Sequence, residues 1–195
     1  MLTGDSFTTY DNGSKAVAHG RWATNLLTLD ISAAPAAPSV IATSSTASGR
    51  VDVGELVERN GYVFAASPQI DASGRIWASP LSSISTRYSY PASGSISGNR
   101  MCHALGLAMN DAGTVAFVPS WDSGGASCTY GDSGGSCILN IFDTSNPTAM
   151  SAIAHVNLST LSSNGNIYCN GAYFRNDKLF VSFASGPGQW RDDDP

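Results

Sequence analysis

The chain has 195 residues, with 10 Lys+Arg against 15 Asp+Glu, a formal net charge of -5 and only 13% charged residues. Binding to phosphates needs clustered Lys and Arg that release counterions, so no nucleic-acid partner is expected. No apolar run approaches the length of a membrane span, and no window carries apolar residues at helical spacing long enough for a helix.

In chain order, the first predicted elements are SFTTYD and SKAVAHG, joined at Asn12-Gly13, followed by NLLTLDISAAPAAPSVIA over 25–42. The latter reads as an alternating strand ending at Asp30, then Ser32, a Pro-containing turn and a short outer strand. Next, Asn60-Gly61 joins GELVER to YVFAAS, and GRIWASPL (74–81) and STRYSYPAS (85–93) follow without an Asp turn, a degenerate copy. Asn110-Asp111-Ala112-Gly113 joins ALGLAM to TVAFVPS, and CILNIFDTSNPTAMSAIA (137–154) repeats the Asp, Ser and Pro order with Asp143 and Ser145. Finally, Asn176-Asp177 joins GAYFR to KLFVSFAS. Asn and Gly tolerate the positive φ of a tight primed turn, whose twist matches the strands it connects, so each pair is a predicted β-hairpin.

The hinge asparagines recur at intervals of 48, 50 and 66 residues (12, 60, 110, 176). Periods near 40–50 residues with several strands each indicate propeller blades. The predicted fold class is therefore all-β, a β-propeller-like array of four-stranded antiparallel blades in a single domain over 1–195. The blades fall at 1–49, 50–99 and 100–163, with a half blade at 164–195. Val17, Leu29, Leu56, Val63, Phe64, Leu107, Val115, Phe117, Ile141, Ile153, Phe174, Leu179 and Val181 are the expected core. Blades bury their faces only against neighbours, so this count leaves an open apolar flank at each end. Either further blades of a longer chain or other copies of the same chain are the expected partners at those edges.

The LDIS-x-x-P and FDTS-x-P segments resemble the LVIVD-type repeat of β-propeller proteins, in which an alternating strand runs into an Asp, a Ser and a Pro. The resemblance implies a ring of four-stranded blades and a cell-surface or secreted protein without defined catalytic residues. No site residue is carried over, because the motif is structural.

Gly131-Asp132-Ser133-Gly134-Gly135 matches the string around the nucleophile of trypsin-like proteases, with His19 as the base that a serine hydrolase would need. The surrounding parts differ. His19 stands in VAHG, no aspartate follows at the usual separation, and the string nearly repeats Asp122-Ser123-Gly124-Gly125, a local duplication in a Gly/Ser loop. The loop reading is preferred, so no catalytic residue is assigned.

His19, His103 and His155 lie in different repeats and define no metal site, and Asp192-Asp193-Asp194 lacks the spacing of a calcium loop. No metal or cofactor is expected. Trp121 and Trp77 are the candidates for stacking on glycans in a carbohydrate-binding reading, set against a turn-packing role.

Four cysteines allow three pairings, and the expected one joins Cys128 to Cys137 across the Gly-rich loop and Cys102 to Cys169 between neighbouring blades. Few lysines and two sequons, at Asn12 and Asn157, fit an extracellular or cell-surface protein, although MLTGDSFTTYD shows no signal-peptide pattern. The expected function is a non-enzymatic structural or binding protein acting through assembly or loop-mediated ligand binding.

Overall fold

A computed structural model describes residues 4–20, 25–32, 38–45, 55–67, 75–91, 101, 104, 106–122, 136–161 and 167–185. These residues form four antiparallel sheets. The first comprises β1 (Gly4–Tyr10), β2 (Lys15–Gly20), β3 (Asn25–Asp30) and β4 (Ser39–Ser45). The second comprises β5 (Leu56–Arg59), β6 (Tyr62–Ser67), β7 (Arg75–Pro80) and β8 (Tyr88–Tyr90). The third comprises β9 (Ala108–Met109), β10 (Val115–Asp122), β11 (Ser136–Asp143) and β12 (Ser151–Asn157). The fourth is the pair β13 (Ile167–Arg175) and β14 (Lys178–Ser185).

All four predicted hinges are hairpin connections, of two kinds. Asn60-Gly61 (φ 53° and 79°) and Asn176-Asp177 (φ 52° and 58°) are two-residue turns with positive φ at both positions, the geometry that Asn and Gly favour. The first connection is longer than the expected Asn12-Gly13 pair: residues 11–14 form it, and Asp11, Asn12 and Gly13 all have positive φ. At the third, only Gly113 is left-handed (φ 71°). Asn110 closes that loop with its side chain: Oδ1 accepts the Thr114 and Val115 N–H groups at 2.8 and 3.0 Å, and Nδ2 donates to Thr114 Oγ1.

The packing follows from strand alternation. In β6, Val63 and Ala65 pack with Val17, Leu26 and Trp77 toward the first sheet, while Phe64 and Ala66 pack with Ala116, Val118 and Phe142 toward the third. The second sheet is thus buried on both faces, which is why residues 62–66 and 76–78 are continuous apolar runs rather than alternating ones. The third sheet meets the fourth through a Phe117–Phe174 stack with ring centroids 5.6 Å apart. Backbone also meets backbone there: a Cβ on Gly106 would lie 2.6 Å from Gly171 Cα. That close approach accompanies a β9 of only two residues, shorter than the strand expected across ALGLAM.

Val17, Leu56, Val63, Phe64 and Leu107 are buried as expected, and Leu29, Val115, Phe117, Ile141, Phe174, Leu179 and Val181 are half-buried. Ile153 corrects the expected core, being 56% exposed. The register from Ile141–Ala154 to Phe142–Ala152 skips it, so it is the extra residue of a β-bulge on an outermost strand and turns out of the sheet. Ile41 is skipped in the same way on β4 and is also exposed.

Candidate functional site

The repeat motif makes two identically bonded turns. Asp30 Oδ1 accepts the Ser32 N–H at 2.9 Å and the Ser32 hydroxyl at 2.6 Å, and Asp143 Oδ1 accepts the same two donors of Ser145 at the same distances. The serine hydroxyl, then its backbone N–H, holds each carboxyl below the usual carboxylate range. One further bond recurs beside each turn: Ile31 N–H donates to Ser14 O, and Thr144 N–H to Thr114 O, both at 2.9 Å. These aspartates are therefore engaged in fixing the connection between the third and fourth strands of their sheets.

A polar arrangement lies where the second and third sheets meet at their hinge ends. Arg59 Nε donates to Asn110 O at 3.5 Å, and Asn60 Nδ2 donates to Ala112 O at 2.9 Å. Gly113 lets the two hinges approach, since a Cβ there would lie 2.8 Å from Arg59 Cβ. Farther along the interface, Glu55 Oε2 accepts the Leu107 N–H at 3.2 Å, and burial pushes the Glu55 carboxyl up. On the same face of the third sheet, Ser120, Asn140 and His155 form a cross-strand polar ladder. Asn140 Nδ2 donates to Ser120 Oγ at 2.7 Å, and Asn140 Oδ1 lies 2.7 Å from His155 Nδ1. Burial pushes the His155 imidazole down, so its neutral form is favoured.

The sequence-predicted site residues fare differently. Ser133 and the whole 131–135 string lie outside the described residues, as do Cys102, Cys128, His103 and the Trp121 side chain. His19 is buried on β2, on the face that carries Val17, so it is not presented to a substrate from solvent. Trp77 corrects the stacking expectation. It is 2% exposed, packed between the first two sheets, with Arg87 Cζ 4.5 Å from its ring centroid.

The cysteine pairing is corrected as well: Cys137 bonds Cys169, with Cα atoms 5.4 Å apart, which leaves neither of them for Cys128 or Cys102. Strand β11 directs Cys137 toward the fourth sheet, where a bulge between Cys169 and Gly171 brings the partner across. Among the described residues no group of three or more His, Cys, Asp or Glu is placed to hold a metal ion, and no helix is long and apolar enough to cross a membrane.

Sequence reasoning missed the Arg59-Asn60 clasp. Its signal was present, because the same Arg-Asn pair stands before β14 as Arg175-Asn176.

Stacked four-stranded antiparallel sheets in sequential order define a β-propeller-like array. Solved structures bear this out. The chain is similar to the β-propeller domain of Cps50 (Swd1) from Myceliophteria thermophila, at TM-score 0.55 and 12% identity, over 91% of this chain and 49% of that one. It is also similar to a candidate 6-phosphogluconolactonase from Bacteroides fragilis, at TM-score 0.51 and 10% identity, over 77% of this chain and 38% of that one. At such identities the likeness shows the fold alone, and the chain spans about half the length of the first of these proteins. No protein-family pattern matches the sequence, and no curated protein matches it.

Proposed function

We propose that the chain is a non-enzymatic structural or binding protein of the LVIVD-type propeller class, working outside the cell or on its surface through assembly or loop-mediated ligand binding. The observation that carries this reading is the pair of Asp-Ser turns. The two motif copies make the same two hydrogen bonds at the same distances, and in each the Asp Oδ1 is engaged in fixing the turn. The Cys137–Cys169 bond between two sheets supports an oxidising compartment. Burial of His19 and Trp77 weakens the hydrolase and glycan readings that would use them.

Labelling intact source cells with a membrane-impermeant biotin reagent, then mapping the recovered chain without reduction, tests the location: surface labelling with an intact Cys137–Cys169 peptide pair is expected. Stoichiometric fluorophosphonate labelling of Ser133 would instead establish a serine hydrolase and overturn the non-enzymatic assignment.

A further inference from the structure

The clasp between the second and third sheets has a donor side and an acceptor side, and the chain carries an unused copy of each. On the donor side, the second hairpin reads Val57-Glu58-Arg59-Asn60-Gly61-Tyr62-Val63-Phe64, and the last reads Tyr173-Phe174-Arg175-Asn176-Asp177-Lys178-Leu179-Phe180. Both turn on two positive-φ residues, with Arg59 opposite Tyr62 and Arg175 opposite Lys178 in register. Phe64 is 1% exposed, buried against the third sheet. Phe180, in its place on β14, is 57% exposed, and the cross-strand neighbour Tyr173 is 58% exposed. Arg175 and Asn176, the equivalents of the clasp donors, are exposed too.

On the acceptor side, the first hinge matches the third. Gly13 N–H donates to Tyr10 O at 3.1 Å as Gly113 N–H does to Asn110 O at 2.9 Å, and Asn110 O is also the carbonyl that Arg59 reaches. Lys15 pairs with Asp30 as Val115 pairs with Asp143, which aligns the two sheets strand for strand. Phe7 then holds the place of Leu107 and Leu29 the place of Phe142, both of which are buried against the second sheet. Phe7 is 69% exposed and Leu29 half-buried. A Cβ on Gly13 would meet open space, whereas one on Gly113 would collide with the Arg59 side chain. One end of the array therefore presents an unfilled donor face, and the other an unfilled acceptor face of the kind that a donor face already covers within the molecule.

We infer that the last sheet of one copy docks on the first sheet of a second copy, head to tail. Arg175 and Asn176 reach the Tyr10 and Asn12 carbonyls, and Phe180 and Tyr173 cover Phe7 and Leu29. The interface is heterologous, so successive copies close into a ring or extend as a filament according to whether the rotation closes. This rests on the assembly branch of the function proposed above and deepens it by naming the two faces.

Mass measurement by light scattering on the 195-residue chain, from low to high micromolar concentration, tests it, together with Phe180→Glu and Phe7→Glu. Both variants alter side chains already exposed, and unchanged circular dichroism checks that they fold. The expected result is a wild-type mass that rises above 20.2 kDa with concentration, and 20.2 kDa for each variant alone. An equimolar mixture should reach twice 20.2 kDa, because one intact donor face then meets one intact acceptor face.

A wild-type mass of 20.2 kDa throughout would overturn the proposal. So would self-association that survives either substitution, or a mixture that stays monomeric. Hydrogen exchange on the wild type is independent of the variants: amides at 11–15 and 178–180 should slow with concentration while those at 61–64 do not, and equal behaviour of all three sets would also overturn it. None of these outcomes depends on Ser133 chemistry or cellular location, so failure here is distinguishable from failure of the non-enzymatic, extracellular reading.

Discussion

Asn140 links polar groups on three strands of the third sheet. It is fully buried, donates to Ser120 Oγ and Val118 O, and meets His155 Nδ1 with its oxygen. A buried polar group that loses its partner costs about 1–3 kcal/mol. Asn140→Leu is therefore expected to lower unfolding free energy by about that amount, measured by denaturant titration, and to let the His155 imidazole titrate differently in an NMR pH series. Asp143 supports a second prediction, on pH. Its folded-state pKa is lowered from 3.8 by the Ser145 hydroxyl and N–H, so the carboxylate form stabilises the fold above the unfolded-state value. That contribution should be present at neutral pH and be lost as pH falls through the folded-state value. The melting-temperature gap between wild type and Asp143→Ala is thus expected to shrink on acidification, and a gap unchanged down to strongly acid pH would refute it.

At the scale of elements, what can be read from the sequence depends on how local the cause is. Asn60-Gly61 and Asn176-Asp177 were legible because positive φ is a property of one residue and its neighbour. The Asp-Ser turns were legible for the same reason, since their bonds span only two positions. Non-local causes were not legible. The Ile153 bulge depends on the register against β11, the Cys137–Cys169 pairing on which sheet lies beside β11, and the burial of Trp77 on two sheets closing over it. The Arg59 clasp shows in sequence only as a repeated dipeptide, and its acceptors are carbonyls that any residue could supply. Gly106 is a test of such a non-local contact. Its Cβ position is occupied by the backbone of Gly171 and Ala172, which cannot yield as a flexible side chain would. Gly106→Ala is expected to cost about 1–3 kcal/mol by forcing its segment away from β13, detectable in thermal melts, whereas in dilute solution Gly13→Ala, which meets open space within the chain, should show only the backbone cost of its positive φ.

On the scale of the whole molecule, the same chemistry stands in two environments. The second sheet has neighbours on both faces, while the first and last sheets each turn one apolar face outward. Phe64 and Phe180 hold equivalent places on their hairpins, so truncating each separates the contribution of the neighbour from that of the residue. Phe64→Ala removes a ring packed between sheets and is expected to cost about 3–5 kcal/mol at every protein concentration. Phe180→Ala removes a ring that is more than half exposed, and in dilute solution its cost should stay within about 0.5 kcal/mol, the usual range for surface changes. Association that favours the folded state raises apparent stability with concentration. If a second copy covers Phe180, the wild-type melting temperature should climb as the protein is concentrated while that of Phe180→Ala stays flat. Parallel curves would mean that the ring faces water in both, and that the outermost sheet is stable with its apolar face uncovered.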